Sequence, residues 1–164
     1  MPRSEQSSEG WLSGEQLAAI ASAITGLHRR YYGRGATKAR AYQVHVELVL
    51  VELRDVYLTV ERTLLARGQE NTVRETRLTF QQAMYNEFVG AIEQITARKV
   101  LAYASEAIAH PELVLEIFYL ESPQERQRRL EREAREDAGE IPRPAAGISE
   151  SGASAAPSFR GRAG

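Results

Sequence analysis

The feature that most constrains the fold is a β-rich stretch from Ala41 to Leu53. Over its first half, apolar and polar residues alternate with the period of two that is typical of a strand. Further on, Val49 and Val51 make the second face apolar as well, which predicts a part buried on both sides. The stretch is either one long strand or a hairpin that turns near residues 45–47, because no Asn-Gly or Asp-Gly marks a turn.

A second pair of strands is predicted near the end of the same region. Val100 to Ala104 and Leu113 to Leu120 are the strand-like segments, and His110-Pro111 lies in the connection between them. Strands that occur in pairs, rather than alternating singly with helices, favour hairpins. The sequence therefore predicts an α+β fold, with a largely antiparallel sheet that is covered by helices on one face.

Helical periodicity surrounds and separates the two strand pairs. Ser13 and Gln16 are spaced as a capping box ahead of an apolar stripe, which predicts a first helix that ends at Gly33. Thr59 is predicted to cap a short helix, and residues 70–96 are predicted to form one long helix. The predicted order is helix, β-hairpin, two helices, β-hairpin.

Composition indicates the limits of the folded part. A chain of 164 residues amounts to about one average domain, and that α+β domain is predicted over residues 12–122. Residues 1–11 are predicted to be a disordered head. Ser122-Pro123 is a strong helix start, and residues 123–138 are predicted to form a charged helix that is exposed to solvent. Residues 139–164, rich in Ala, Gly, Ser and Pro, are predicted to be a disordered tail.

Several classes of function are disfavoured by what the chain lacks. It has no cysteine, which excludes disulfides, thiolate zinc sites and thiol nucleophiles. His28, His45 and His110 show no metal-binding spacing, so neither a metal nor a cofactor is expected. A formal net charge of −1 argues against nucleic-acid binding. No apolar run approaches the roughly 18 to 20 residues that cross a bilayer, so no membrane insertion is expected. The polar N-terminus favours a cytoplasmic location.

Candidate catalytic residues are scarce. An enzyme of unrecognised type would use Glu47, Glu52 or Asp55 in a cleft, because these carboxylates lie in or beside the β-rich stretch. No GxSxG nucleophile motif is present. Gly33-Arg34-Gly35 is not a phosphate-binding P-loop, because no Gly-Lys-Ser/Thr follows it. The chain is predicted not to be an enzyme, with the carboxylate-based enzyme as the alternative.

The most distinctive charge pattern is a basic connector, residues 29–40, which contains five cations and no acid. Gly33 and Gly35 allow backbone amides to approach an anion closely, and nearby cations add charge-assisted donors. The same connector is also compatible with a simple helix-to-strand turn whose cations stay solvated. The predicted site for an anion or acidic partner comprises Arg34, Lys38, Arg40, Arg74 and Arg77.

Several short motifs in this order resemble those of the bacterial MpsC-like family. Residues 31–40 read YYGRGATKAR and are similar to its GRGPTKAR signature, ahead of a hairpin rich in valine and leucine. Two further stretches, LTVERTL at residues 58–64 and VRETR at residues 73–77, fit the same pattern, as does Phe80-Gln81. The likeness covers about residues 14–121. The chain departs from the pattern at Ala36, where the family often has proline, and in having Val44-His45-Val46-Glu47 at the hairpin tip.

The resemblance implies a role without implying a reaction. The family, formerly a domain of unknown function, is named after a small component encoded with a sodium-translocating, membrane-potential-generating system. It implies an accessory or regulatory subunit near a membrane cation or inorganic-carbon transporter, with the transport complex as partner, while the basic connector is what predicts an acidic protein partner. No catalytic residue is carried over. A further alternative is a structural domain that forms a homo-oligomer through an apolar strand edge.

Overall fold

The structure is a computed structural model that describes residues 10–142. Its helices are α1 (Gly14–Tyr32), α2 (Thr59–Ala66), α3 (Glu70–Ala83), α4 (Tyr85–Thr96) and α5 (Pro123–Asp137). Its strands are β1 (Lys38–His45), β2 (Leu48–Arg54), β3 (Val100–Ile108) and β4 (Leu113–Leu120). The predicted head up to residue 9 and the predicted tail from residue 143 lie outside the described residues. Within residues 10–142, no helix combines the length and the apolar character that a membrane crossing requires.

The four strands form one sheet in the order β1-β2-β4-β3, and every neighbouring pair is antiparallel. The predicted α+β class is therefore confirmed. Residues 41–53, for which one strand and a hairpin were both open, belong to a hairpin that turns at Val46 and Glu47. β1 and β3 are the two edge strands, and they lie at opposite sides of the sheet.

Alternate residues of all four strands form the inner face of the sheet, which packs against the helices. One row across the sheet runs from Ala41 through Val51 and Glu116 to Ser105, and the first three of these are buried. Helix α1 packs on β1 and α4, while α3 and α4 pack on β3. The fully buried members of the core include Ile20, Ile24, Val49, Val51, Leu53, Val56, Ile92, Phe118 and Leu120.

Both predicted boundaries of the first helix are confirmed. The Ser13 hydroxyl accepts a bond of 3.1 Å from the Gln16 amide, and the Gln16 side chain accepts one of 3.0 Å from the Ser13 amide. This reciprocal pair satisfies two donors that a helix start leaves open. Gly33 ends α1 with φ of 73°, a left-handed conformation that glycine adopts without a Cβ penalty.

Two helix predictions are wrong in detail. The single helix expected over residues 70–96 is broken at Met84, which separates α3 from α4. The break changes the direction of the chain, so that α3 lies on β3 while α4 also packs on α1. Thr59 does not cap α2: Leu58 holds the cap position, and its amide donates to the Glu61 carboxylate at 2.7 Å. A carboxylate three residues inside the helix thus replaces the expected hydroxyl.

The chain divides into two compact units after residue 129. In the first unit, Ser122 and Glu125 form the capping box that starts α5, with bonds of 2.7 Å and 3.2 Å between amide and side chain in the two directions. The second unit begins at residue 130 and contains the rest of α5. No residue of α5 is buried.

A guanidinium from the inner part of the fold holds three chain segments together. Arg98 is 5% exposed and donates to the carbonyl oxygens of Gly10 at 3.1 Å, Val46 at 2.7 Å and, from Nε, Glu121 at 2.9 Å. Burial lowers the pKa of Arg98 from its ordinary value. The beginning of the described chain, the β1–β2 turn and the end of β4 therefore meet at one side chain.

Candidate docking face of the sheet

Arg34 is tied to the end of the first hairpin. Its Nη2 donates to Asp55 Oδ2 at 2.9 Å, and its Nε donates to the Asp55 carbonyl oxygen at 3.2 Å. Arg62 donates to the other carboxylate oxygen of Asp55, and this bond is the main reason that the pKa of Asp55 lies below its ordinary value. Asp55 has a left-handed φ of 56°, and the two guanidiniums hold it there. Arg34 thus already has a structural partner.

Arg77 belongs to the core and lies away from solvent. It is 5% exposed, and its Nε and Nη2 each donate to a carboxylate oxygen of Glu61 at 2.8 Å. The guanidinium also lies over the rings of Tyr57 and Tyr32, at 4.6 Å and 4.9 Å from their centroids. Burial raises the pKa of Tyr32 to about 12, so this ring is neutral at physiological pH. This bidentate buried pair joins α3 to α2.

The five predicted cations do not converge on one place. Arg74 lies one turn before Arg77 on α3 but points outward, with its Nε 3.6 Å from Glu106 of β3. Lys38 and Arg40 lie on β1, at the opposite edge of the sheet from β3. The structure therefore separates a buried arginine, an exposed helix arginine and two cations on an edge strand.

The local structure explains why the connector has glycine at both positions, Gly33 and Gly35. Gly33 ends α1, as described above. A Cβ at Gly35 would lie 3.2 Å from Thr25 Cγ2 and 3.3 Å from the Thr25 carbonyl oxygen, so the connector runs directly against α1. The predicted contact of these backbone amides with an anion stays a prediction.

Lys38 and Arg40 point to the outward face of the sheet, where Arg54 of β2 lies beside them. Lys38 pairs with Arg54 in the strand register, and Arg40 pairs with Glu52. We call Lys38, Arg40 and Arg54 the basic edge. It borders a shallow depression of about 550 Å³. Among residues 10–142, neither Lys38 nor Arg40 makes an ion pair, whereas Arg54 pairs with Glu52.

The outward side chains of the four strands make an open face that helices α1 to α4 do not cover. Tyr42, Val44 and Tyr119 are 37%, 61% and 43% exposed, and Leu48 and Leu50 are half-buried. The later part of residues 41–53, which forms β2, was predicted to be buried on both sides. That prediction is wrong for the outward side of β2. The other apolar members of the open face are Leu101, Ala102, Ala104, Ile108, Leu113, Leu115 and Ile117. Large exposed apolar patches are typical of surfaces that bind another molecule, which makes the open face the candidate site.

The sequence contained a signal for this face that the site prediction did not use. β2 and β4 are apolar at both alternating sets of positions, as Leu113, Leu115 and Ile117 show for β4. A strand with two apolar faces needs cover on both. The helices predicted from the sequence were assigned to one face, and they leave the second face uncovered.

A hydrogen-bonded group of titratable side chains lies inside the core. His28 Nε2 and Glu116 Oε1 are 2.8 Å apart, and the Tyr103 hydroxyl donates to Glu116 Oε2 at 2.8 Å. Burial is the main cause that raises the pKa of Tyr103 well above its ordinary value. His28 and Glu116 are 1% and 2% exposed. These two contacts join α1 to β4 and β4 to β3.

The carboxylates of the enzyme alternative are all engaged. Glu52 pairs with Arg54, Asp55 is held by two arginines, and Glu47 accepts a bond from the Tyr119 hydroxyl. That bond raises the pKa of Tyr119. No group of three or more histidine, aspartate and glutamate residues in the described part of the chain could hold a metal ion.

Comparison with known proteins identifies a family. Residues 13–122 match the family model described as "Na+-translocating membrane potential-generating system (MpsC)". No curated protein matches the chain. No solved structure matches it either.

Proposed function

The chain belongs to the MpsC family, and from that premise we propose that it is a non-catalytic accessory subunit of a Na+-translocating, membrane-potential-generating system. Its working surface in this proposal is the open face, on which a protein docks. An acidic group of that protein meets Lys38 and Arg40 at the basic edge. The proposal includes a cytoplasmic location. A chain without cysteine forms no disulfide and therefore needs no oxidising compartment.

The observation that carries the proposal is the apolar character of the uncovered face. Leu50 and Ile117 lie at its centre as register partners on β2 and β4, and Tyr42 lies beside Leu50 on β1. Burying apolar surface contributes about 25 cal/mol for each Å² removed from water. The apolar side chains of the open face contribute this free energy in full only when another surface covers them and removes them from water.

The basic edge explains which partners the face would select. Lys38 and Arg40 have no ion-pair partner in the described part of the chain, so a partner's carboxylate can pair with them without displacing an internal one. Complementary charge at the rim of an apolar interface gives specificity and speeds association. The basic edge therefore favours a partner with an acidic group beside an apolar surface.

A catalytic role is less compatible with the site. A general acid or base needs a pKa near the working pH, whereas the pKa of Asp55 is lowered. Glu52 and Glu47 lie on the sheet and its turn and are bound to Arg54 and Tyr119. These carboxylates serve the structure of the hairpin.

A small anion is a second candidate ligand, because the depression at the basic edge has a volume of about 550 Å³. That volume lies within the roughly 300 to 1,000 Å³ of ligand pockets. Phosphate, a dicarboxylate or a nucleotide should then raise the melting temperature of the chain, and Lys38→Glu should abolish the rise. Protein docking is favoured because the depression is shallow and adjoins the apolar face.

The test uses the chain together with the integral-membrane subunits of a Na+-translocating system. The complex is solubilised in detergent and captured through a tag on the chain, and Na+-dependent membrane potential is measured in vesicles from the same cells. Arg40→Glu reverses a charge on the basic edge. Arg67→Glu is the matched control, since Arg67 is exposed at the end of α2.

We expect Arg40→Glu to reduce both the recovered membrane subunits and the membrane potential, and Arg67→Glu to leave both unchanged. Both variants should melt within a few degrees of the wild type, because neither side chain is buried. If Arg40→Glu behaves like the wild type in both measurements, the open face is not the working surface and the proposal fails.

A further inference from the structure

We propose that the occupant of the open face is a second copy of the chain, whose own open face packs against it about a two-fold axis parallel to the strands. This inference rests on the proposed function, because it takes the open face to be a docking surface and names the partner. It is carried by the distribution of charge and side-chain size across the four strands.

The strand order determines which strands meet in such a dimer. An axis that runs parallel to the strands, between β2 and β4, places β1 of one copy over β3 of the other. The same operation places β2 over the partner's β4. Sheets that pack face to face keep their strands within about 30° of each other, so rows of the two sheets stay roughly opposite.

The edge charges of one row are complementary in this arrangement. Arg40, Glu52, Leu115 and Glu106 form one row across the sheet. The axis brings Arg40 over the partner's Glu106, and symmetry produces the same pair a second time. Glu106 is 3.6 Å from Arg74 in its own chain, but both side chains are more than half exposed. Glu106 is therefore still accessible to a second cation.

Side-chain sizes are complementary as well. In the next row, the large Tyr42 of β1 meets the partner's Ala104 of β3, and Leu50 meets the partner's Ile117. A β1 edge with long outward side chains thus fits over a β3 edge that carries Ala102 and Ala104. Interdigitation of large and small residues is what gives two packed sheets a dense interface.

An axis perpendicular to the strands lacks this match. It would place β1 over the partner's β1 and β3 over the partner's β3. Arg40 would then lie near the partner's Tyr42 or Arg40, and Glu106 near the partner's Ala104 or Glu106. Like charges that face each other across an interface are unfavourable, so the match between Arg40 and Glu106 favours the parallel axis.

The size of the face is sufficient for a small dimer interface. Strands about 4.8 Å apart with about 3.3 Å per residue give four strands of seven residues a footprint of roughly 450 Å². Two copies bury roughly 900 Å² when each face is treated as flat, and the uneven surface of the side chains adds to this area. The value is near the roughly 1,000 Å² at which specific interfaces begin. The dimer is therefore expected to dissociate on dilution.

Sedimentation velocity of the full chain over a wide range of concentration tests the inference. Wild type, Arg40→Glu, Glu106→Arg and the double variant that carries both changes are compared, with Arg67→Glu as the control. Each single reversal places like charges opposite each other twice, whereas the double variant restores two opposite-charge pairs. We expect each single reversal to raise the dissociation constant about tenfold or more, and the double variant to recover most of the loss.

A fifth variant, Ala104→Arg, tests the fit of sizes. It fills the space opposite Tyr42 on an exposed position, so we expect a folded monomer with an unchanged circular dichroism spectrum. A folded wild type that stays monomeric at every concentration overturns the inference. So does a dimer that survives each of Arg40→Glu, Glu106→Arg and Ala104→Arg, or a double variant that is folded and remains monomeric.

The two proposals fail in different ways. If the wild type is monomeric but Arg40→Glu still reduces the membrane potential, the open face binds a different protein and only the second-copy inference fails. If the charge pair controls dimerisation but neither single reversal affects the transport system, the dimer stands and the proposed function fails.

Discussion

The buried pair Arg77–Glu61 gives the most direct test of how this domain is held together. Replacing Arg77 with methionine keeps much of the side-chain volume but removes two bonds of 2.8 Å and leaves the Glu61 carboxylate without its counter-ion. Both side chains are less than one-tenth exposed. Breaking a buried pair by removing one partner typically costs about 3 to 5 kcal/mol. Domains of this size have about 5 to 15 kcal/mol in total, so the loss should be large.

The rings beside Arg77 add to the expected loss. Tyr57 and Tyr32 lie within 5 Å of its guanidinium carbon, and a desolvated cation–π contact contributes up to about 2 kcal/mol. Methionine can keep apolar contact with both rings, which offsets part of this term. We therefore expect Arg77→Met to lower the free energy of unfolding by about 3 to 5 kcal/mol.

The assay is urea denaturation followed by circular dichroism, with Arg74→Met as the control. Arg74 is one turn away on the same helix and 64% exposed, and its ion pair is 3.6 Å long. Its removal should change stability by less than about 0.5 kcal/mol. Equal small losses for the two variants would contradict the reasoning and would return Arg77 to the list of candidate binding residues.

Three smaller predictions follow from other contacts. Asp55 has a lowered pKa, so its contribution to folding stability is present above the unfolded pKa near 3.8 and is lost as pH falls through the lower folded pKa. Asp55→Asn should therefore flatten the acid limb of a curve of stability against pH. An unchanged limb would contradict this. Gly26→Ala, which meets nothing within 4 Å in the middle of α1, should stabilise by up to about 1 kcal/mol, whereas Gly35→Ala should destabilise, as thermal melts of the pair will show. Tyr103→Phe removes a bond to the buried Glu116 and should cost about 1 to 3 kcal/mol in chemical denaturation; a loss near zero would mean that the bond is not formed.

The features that could be predicted from the sequence are those with local causes. The capping boxes at Ser13 and Ser122 need only residues three apart, and both are formed. The antiparallel sheet followed from strands that occur in pairs. The break at Met84 could not be predicted in this way, because the apolar period continues through it. Its cause is the packing of α3 and α4 on different neighbours.

The candidate site was harder to predict because a buried cation pairs within the fold, whereas an exposed cation can bind a partner. Arg77 was predicted to bind an anion or acidic partner, yet it lies four residues after Val73 and three before Phe80, on the same side as these apolar residues. That spacing was a usable signal. Its partner Glu61, in contrast, lies on another helix, and only the folded chain brings the two together. Lys38 and Arg40 remain exposed, and they stay in the proposed site.

The clamp around Arg98 has a consequence for how the domain opens. Gly10, Val46 and Glu121 lie in three segments that are distant along the chain, yet each offers a carbonyl oxygen to one guanidinium. A flat group with five donors fits three such acceptors, and an ammonium does not. The segments therefore cannot fray one at a time, since releasing one leaves a buried donor unsatisfied. Amide hydrogens across all three should exchange with solvent as a single cooperative unit.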